Sequence, residues 1–403
     1  MKYKVKYLYL NNAKGGGQQV IQDPNNREIV MEAVRNNGNY LEYASEQLKD
    51  DRAIVMAAIT NNGFALQNAS EQLRGDIEIV TAAVNRDGQS LQHASEELKN
   101  NRDFVLDLIR QNPIVLLQAP EKNNFQFVLE AVRINGLALQ YAVNFQNDRV
   151  IVLNAVQNNG LALRYAPNYS NDINICAGAV NNNGLALLYV APVLQGDPNI
   201  VDLAVRNNGL SLEYTNEQLQ GNRDIVMAAV NQNGLALEFA SRELGSDRVM
   251  VMAAINKNGL ALEFASGELR NDPEIVEVAV RNNGLAIEFA LQFRVNRDIF
   301  MAAVNQNGLA LQYASEQLGN DPEIVEVAVT NNGLALDFAP DFRDNRNIVM
   351  AAVNQNGLAL EFASEELQND RAIVIAAVQN NCIALQYASE ELQNNLEIVV
   401  TVL

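Results

Sequence analysis

The sequence lacks most of the side chains on which enzyme chemistry depends. It contains no Trp, one histidine, His93, and two cysteines, Cys176 and Cys382, among 403 residues. One histidine cannot supply a histidine-based zinc site, and two cysteines are too few for a disulfide framework. No run of about 18 apolar residues is present, so the sequence predicts no membrane span. These absences favour a cytoplasmic protein that uses no metal or cofactor.

Charged residues are also scarce, and their signs are unequal. They make up 19% of the chain, with 29 Lys and Arg against 48 Asp and Glu, which gives a net charge of −19. A protein that binds nucleic acid through its phosphates needs clustered positive charge, so this balance argues against one. The balance favours a basic partner instead.

Asn, in contrast, is present in excess, at 55 positions. Much of it belongs to an internal repeat in which a Gly preceded by Asn recurs mostly every 24 or 25 residues, from Gly38 to Gly357. Pro113 and Cys382 take the Gly position in two further copies, and Asp87 replaces Asn in one. The pattern indicates fifteen copies that run from about residue 24 to the C-terminus.

One copy, residues 344–370, shows how the chain is expected to fold. Ile348, Val349, Ala352 and Val353 lie on one stripe of a helix of about ten residues, called helix A. An acidic residue is expected to cap its start, with Pro at the first helical position in three copies. We expect the Asn-Gly pair to end helix A, because both residues tolerate the left-handed conformation.

The second half of the copy predicts a further short helix. We expect a helix B of about two turns, then a tight turn or one turn of 3₁₀-helix capped by Ser364. Leu358, Leu360, Phe362, Ala363 and Leu367 are predicted to be its buried side chains. Neither helix is long enough to be stable alone, so neighbouring copies must supply the burial.

These features predict an all-α solenoid of tandem helix-turn-helix repeats, right- or left-handed. Residues 1–23 form a basic, strand-like and Gly-rich segment that either covers the first copy or is the stub of a larger domain. Residues 24–403 form the array, with a bend near 111–125 and a half-repeat at 394–403 that could make end-to-end contacts. The oligomeric state is left open.

Two side-chain rows follow helix B from copy to copy. An aromatic residue stands five positions after the Gly in twelve copies, which we interpret as core packing, with a continuous groove on which a ligand stacks as the alternative; the three exceptions are Asn68, His93 and Gln118. These irregular copies indicate either a bend or a specialised binding patch. The position before it is mostly polar, and six acidic residues form a candidate partner-binding ridge: Glu213, Glu238, Glu263, Glu288, Asp337 and Glu361. A solvated face is the alternative interpretation.

Catalytic chemistry is not indicated. Cys176 lies about four copies from His93, so the two cannot form a nucleophile pair within one chain. The carboxylates recur in every copy, whereas a catalytic pair should be a local exception. The twelve Asn-Gly pairs are prone to deamidation in flexible chains, so slow deamidation of the folded protein would support a rigid capping role.

The copies resemble the repeats of domain-of-unknown-function family 4116. The motifs that carry this resemblance are IV..AV, NNG, LAL and YASEEL, as in Asn345–Leu367 and Asn369–Leu392, and it covers about residues 24–403. It implies a helical repeat with no catalytic residue. It also implies an occurrence in intracellular bacteria, including in secreted effectors delivered into a host cell, and in large viruses and protists.

We therefore expect a non-enzymatic scaffold that binds a protein partner along an extended face. One alternative is a substrate-recruiting arm of a larger enzyme, suggested by the stub-like N-terminus. A nucleic-acid-reading repeat is a further alternative, which the negative charge disfavours.

Overall fold

The chain forms two compact units, Met1–Ala191 and Pro192–Leu403. The computed structural model describes residues 23–395 and 397–398. The predicted strand-like segment lies outside the described residues apart from residue 23, and so does most of the predicted half-repeat. The bend predicted near residues 111–125 stays a prediction, and that stretch lies within the first unit. Both units are α-solenoids of tandem copies, and the described residues contain no β-strand.

Each copy begins with an α-helix of ten residues, as the sequence predicts. In the first unit these A helices are Arg27–Asn36, Arg52–Asn61, Ile77–Arg86, Arg102–Gln111, Phe125–Ile134, Arg149–Asn158 and Ile173–Asn182. In the second unit they are Pro198–Asn207, Arg223–Gln232, Arg248–Lys257, Pro273–Asn282, Arg297–Gln306, Pro322–Asn331, Arg346–Gln355 and Arg371–Asn380. The predicted acidic cap is confirmed in part of the copies: the Asp272 carboxylate accepts hydrogen bonds from the N–H groups of Glu274 and Ile275 at 2.9 and 3.2 Å. In other copies the cap is Asn, as Asn345 is for Arg346–Gln355.

Helix B is a 3₁₀-helix, usually of six residues. In the first unit the B helices are Gly38–Tyr43, Gly63–Asn68, Gly88–His93, Pro113–Gln118, Gly136–Gln140, Gly160–Tyr165 and Gly184–Tyr189. In the second they are Gly209–Tyr214, Gly234–Phe239, Gly259–Phe264, Gly284–Val295, Gly308–Tyr313, Gly333–Phe338, Gly357–Phe362 and Cys382–Tyr387. A segment this short makes more backbone hydrogen bonds with i to i+3 pairing than with α-helical pairing.

A third short element closes most copies. It is a turn of α-helix in Glu46–Lys49, Glu71–Arg74, Glu96–Asn100, Pro192–Gln195, Glu217–Gln220, Gly267–Arg270, Glu316–Gly319, Glu365–Gln368 and Glu390–Gln393. It is a 3₁₀ turn in Val143–Phe145, Pro167–Tyr169, Leu244–Ser246 and Pro340–Phe342. The predicted Ser cap is present, since the Ser364 hydroxyl accepts a hydrogen bond from the Leu367 N–H at 3.4 Å. The prediction of a 3₁₀ turn here is wrong for most copies.

The predicted left-handed ending of helix A is wrong. The residue before each Gly position is extended, with φ between −152° and −139° and ψ between 98° and 114°. None of the described glycines has a positive φ. Asn283 shows what this residue does instead: its N–H donates to the Ala279 carbonyl at 2.8 Å, and its side chain accepts from the Leu285 N–H at 3.1 Å. It ends one helix and caps the next.

The Gly is needed because the next copy approaches it closely. A Cβ atom at Gly259 would overlap the carbonyl oxygen of Ala279 in the following helix A. The same overlap with an Ala carbonyl would arise at Gly38, Gly63, Gly136, Gly160, Gly209, Gly234, Gly284, Gly308, Gly333 and Gly357. Backbone cannot move aside as a side chain can, so a Cβ at any of these glycines would destabilise the close contact.

A side-chain amide of the next copy forms hydrogen bonds at this close contact. The Asn282 Oδ1 atom accepts a hydrogen bond from the Gly259 N–H at 2.7 Å, and its Nδ2 donates to the Asn256 carbonyl at 3.0 Å. We call this arrangement the amide clamp. Its Gly N–H bond, at 2.5–2.8 Å, recurs at Gly38–Asn61, Gly136–Asn158, Gly160–Asn182, Gly209–Gln232, Gly284–Gln306, Gly308–Asn331, Gly333–Gln355 and Gly357–Asn380. The first residue of the Asn-Asn-Gly or Gln-Asn-Gly motif is therefore the one whose side-chain amide joins two copies.

The core of each unit is aliphatic. Ile348, Val349, Ala352 and Val353 of helix A are buried, as predicted, and so are Leu360, Ala363 and Leu367. The prediction fails for Leu358 and Phe362, which are only partly buried. The closest packing of helix B instead uses Ala359, next to Leu360, and both are fully buried.

Replacing a Gly at the close contact should destabilise the protein far more than replacing an exposed Gly. We expect Gly259→Ala to cost about 2 to 3 kcal/mol, because its Cβ meets backbone. The control Gly267→Ala should stabilise by up to about 1 kcal/mol, since nothing lies within 4 Å of its added Cβ. Urea unfolding followed by circular dichroism measures both. Equal effects of the two substitutions would contradict the close contact.

Candidate functional site

The six acidic residues of the predicted ridge all lie on helix B of the second unit. Glu213, Glu238, Glu263, Glu288, Asp337 and Glu361 are all exposed, and Gln312, which interrupts them, is exposed too. Each stands at the same position of its copy, next to the aromatic residue that follows it. The ridge and the aromatic residues therefore form one surface, which we call the acidic–aromatic row.

Three of the six carboxylates have partners within the chain. Asp337 forms an ion pair with Arg343 at 3.2 Å. Burial is the largest cause that raises the pKa of Tyr313, and a hydrogen bond to Glu288 of the preceding copy raises it further. A hydrogen bond to Glu361 is the main cause that raises the pKa of Tyr387, again one copy further along.

The other three carboxylates, Glu213, Glu238 and Glu263, make no hydrogen bond or ion pair with any described residue. They stand on three consecutive copies of the second unit. Because the ring that follows each one in the next copy belongs to Phe, no phenol is available to bind them at Phe239, Phe264 or Phe289. This stretch of the row is left with charge that the chain does not satisfy.

The aromatic residues are not core residues, so that prediction is wrong. Eleven of the twelve are partly exposed, and Phe338 is 37% exposed. The Ala and Leu residues of helix B fill the interior instead, and the rings lie over its edge. A ring at this position offers a face or an edge to the solvent and to any bound group.

In the first unit, the cationic side chain of Arg164 lies against two rings of this row. The guanidinium carbon of Arg164 lies 5.1 Å from the ring centroid of Tyr165 and 5.9 Å from that of Tyr189 in the next copy. Both distances are typical of cation–π contacts. Arg164 holds the position that the acidic residues hold in the second unit, so rings of successive copies at this row can accept one guanidinium together.

The irregular candidates Asn68, His93 and Gln118 replace aromatic residues of the same row in the first unit. All three are partly buried. His93 packs edge-on against Phe64 of the preceding copy, with ring centroids 5.8 Å apart. Burial, followed by the nearby charges of Arg74 and Lys99, lowers the pKa of His93. The side chains of Asn68 and Gln118 form no hydrogen bond with described residues.

The two cysteines differ sharply in exposure to solvent. Cys176 is fully buried in helix A, and its Sγ donates to the Ser170 carbonyl at 3.1 Å. Burial, with a smaller contribution from Asp172, raises the pKa of this thiol to about 11. Cys382 is exposed. Among the described residues, no group of His, Cys, Asp and Glu is arranged to hold a metal ion.

A ladder of ion pairs between copies was missed by sequence reasoning. The Arg at the first position of helix A binds the Asp that caps the next helix A, as Arg149 does with Asp172 at 2.9 Å. The same pairing joins Arg27–Asp51, Arg52–Asp76, Arg223–Asp247, Arg248–Asp272, Arg297–Asp321 and Arg346–Asp370. Arg102, which precedes an Asn cap, binds Glu121 and Glu130 instead.

The sequence does carry a signal for this ladder. Where helix A begins with a residue other than Arg, the next cap is usually the neutral Asn, as in Ile77 before Asn101 and Pro273 before Asn296. Phe125 before Asp148 and Ile173 before Asp197 are the two exceptions. An unpaired carboxylate is thus mostly avoided. Reading one copy at a time conceals the pattern, because the two residues belong to different copies.

The repeated copy of three short helices defines a helical repeat protein. The chain belongs to the family described as Domain of unknown function (DUF4116), whose profile matches residues 26–74, 76–123, 124–170, 151–195, 172–220, 197–245, 247–293, 296–343, 345–393 and 373–402. Most of these matches span two copies. No curated protein and no solved structure significantly matches the chain. In the part of the chain that is described, every helix is too short or too polar to cross a membrane.

The ion-pair ladder should make stability depend on pH. Arg248 is the main cause that lowers the pKa of Asp272 below its ordinary 3.8. The pair therefore stabilises the fold above pH 3.8, and this contribution is lost as the pH falls through the lowered pKa. We expect Arg248→Gln to lower the melting temperature at pH 7, and the deficit to vanish in acid.

The matched control for this experiment is Arg242→Gln, which removes the same charge. The Arg242 guanidinium contacts no acid among the described residues. Its substitution should leave the melting temperature nearly unchanged at both pH values. A deficit of Arg248→Gln that persists at low pH would rule out the ion pair as its cause.

Thiol titration should distinguish the two cysteines. In the native protein a thiol-specific chromogenic reagent should modify Cys382 only, and Cys176 should react after denaturation. The variant Cys382→Ser should then show no reactive thiol until it unfolds. Rapid native labelling of Cys176 would contradict its burial.

Proposed function

We propose that this chain is a non-enzymatic scaffold that binds an extended, basic segment of a partner protein along the acidic–aromatic row of its second unit. The observation that carries the proposal is the stretch of three exposed carboxylates, Glu213, Glu238 and Glu263, that have no partner among the described residues. A partly exposed ring stands beside each of them. A row of this kind repeats one small binding site along the chain.

The distribution of charge supports this choice of partner. Residues 192–403 contain 12 Lys and Arg against 29 Asp and Glu, which accounts for −17 of the net charge of −19. The remaining residues, 1–191, are nearly neutral. A negative unit of this strength attracts basic segments at long range and repels acidic ones and nucleic acids.

Arg164 supports arginine as the recognised side chain. It shows that rings of successive copies in this row can hold a guanidinium between them. In the second unit, an arginine of a partner would meet two rings in the same way and a carboxylate in addition, for example Phe239, Phe264 and Glu238. Arg suits such a site better than Lys, because its planar guanidinium both stacks on rings and binds a carboxylate through two N–H groups.

The spacing of the copies suggests the form of the partner. Packed helices lie about 8–10 Å apart, and an extended strand rises about 3.3 Å per residue. An extended segment with Arg at every third residue therefore presents one guanidinium per copy. Location in the cytoplasm and delivery into a host cell stay predictions.

A peptide-binding experiment tests the proposal. The probe is a labelled peptide of about five Arg-Gly-Ser triplets, whose binding is followed by fluorescence anisotropy. We expect the protein to bind it more tightly than the matching Lys-Gly-Ser peptide, and not to bind a labelled single-stranded RNA. The double variant Glu238→Gln with Glu263→Gln should weaken binding about tenfold.

The matched control is Glu243→Gln with Glu268→Gln. These two exposed acids lie in the same copies but away from the row, and their loss changes the net charge by the same amount. The control should bind the peptide nearly as well as the unmodified protein. If both double variants weaken binding equally, or if RNA binds better than the peptide, the row is not the binding face.

A further inference from the structure

The amide clamp is missing at two Asn-Gly pairs. At Gly63 and Gly234 the backbone N–H has no acceptor among the described residues, although both glycines are buried. The reason is the residue that stands in the clamp position of the next copy. It is Arg86 opposite Gly63 and Lys257 opposite Gly234, and both side chains can only donate hydrogen bonds.

Deamidation of an Asn-Gly pair depends on the backbone N–H group of the Gly, because its nitrogen is the attacking atom. In deamidation, the backbone nitrogen of the Gly attacks the Cγ atom of the Asn. The N–Cγ bond forms, the Cγ–Nδ2 bond breaks, and ammonia leaves with the proton from the nitrogen. The resulting succinimide then takes up water and opens to Asp or to isoaspartate, so the reaction needs no other reagent.

The folded geometry opposes this attack at every copy. The Asn before Gly234 has ψ 114°, and its Oδ1 atom is held by the Leu235 N–H at 3.1 Å. Attack therefore requires the peptide group between Asn and Gly to open and rotate. At Gly259 and Gly284 such opening must also break the clamp bond to Asn282 or Gln306, whereas at Gly234 there is no such bond to break.

We propose that Asn62 and Asn233 are the two sites at which the folded protein deamidates first. Loss of one hydrogen bond raises the population of a locally opened state about fivefold to tenfold. The rates at Asn62 and Asn233 should exceed those at Asn258 and Asn283 by about that factor. Asp87, whose following Gly88 N–H also has no described acceptor, already carries the carboxylate and can only isomerise.

The product changes the junction between copies in two ways. An Asp at position 233 adds a negative charge but can still cap helix B, as Asp87 does when it accepts from the Gln89 N–H at 3.0 Å. Isoaspartate instead lengthens the backbone by one carbon and cannot keep this cap in register. Position 233 lies at the start of Gly234–Phe239, the helix that carries Glu238 of the acidic–aromatic row.

The test is to age the full-length folded protein at neutral to mildly alkaline pH and to locate deamidation by peptide mass spectrometry. Asn62 and Asn233 should convert about fivefold to tenfold faster than Asn258 and Asn283. In denaturant the four sites should convert at similar rates, because each is then a flexible Asn-Gly pair. Equal rates in the folded protein would overturn the proposal.

Three variants test whether the amide clamp controls the rate of deamidation. Lys257→Asn supplies an acceptor for the Gly234 N–H and should slow conversion of Asn233 to the rate of the clamped sites. Lys257→Arg supplies only donors and should leave the rate unchanged. Asn282→Lys copies the natural Lys257 and should accelerate conversion at Asn258, with the helical content checked by circular dichroism. An unchanged rate at Asn233 in Lys257→Asn would overturn the role of the clamp.

Discussion

The structure depends on one close contact between copies: a backbone carbonyl of helix A occupies the place where a side chain would stand on the first residue of the preceding helix B. Gly259 against Ala279 is an example. The contact fixes the distance between copies, and the amide clamp fixes their register. Helix A, of ten residues, and helix B, usually of six, are too short to be stable alone. Both therefore depend on the contact with a neighbouring copy.

The sequence predicted what each copy determines locally. Helix A, its Asp cap where one is present, and its buried Ile-Val-Ala-Val stripe need only residues a few positions apart, such as Asp272 and Ile275. The conformation that the sequence predicts for the Asn before each Gly is wrong. Asn is common both as the cap at the start of a helix and as the residue that ends one, so its type alone does not decide between the two. In this chain the extended form is selected by the next copy, since the Gly after it must face a backbone carbonyl.

The surface was harder to predict for the same reason. The acidic residues from Glu213 to Glu361 were correctly expected on one row, but which of them lack a partner depends on the next copy. Glu288 has Tyr313 there, whereas Glu238 has Phe264. Aromatic residues usually pack in cores, and the prediction for the ring row rests on that tendency. In this chain Ala and Leu side chains fill the interior between closely packed copies, which leaves the rings partly exposed.

Hydrogen–deuterium exchange resolved to single backbone amides tests the close contact and its clamp most directly. The account predicts strong protection of the Gly259, Gly284 and Gly308 N–H groups, each of which donates to a side-chain amide of the next copy. It predicts faster exchange at Gly63 and Gly234. If all five amides exchange at the same rate in the folded protein, the amide clamp does not hold the copies together as described.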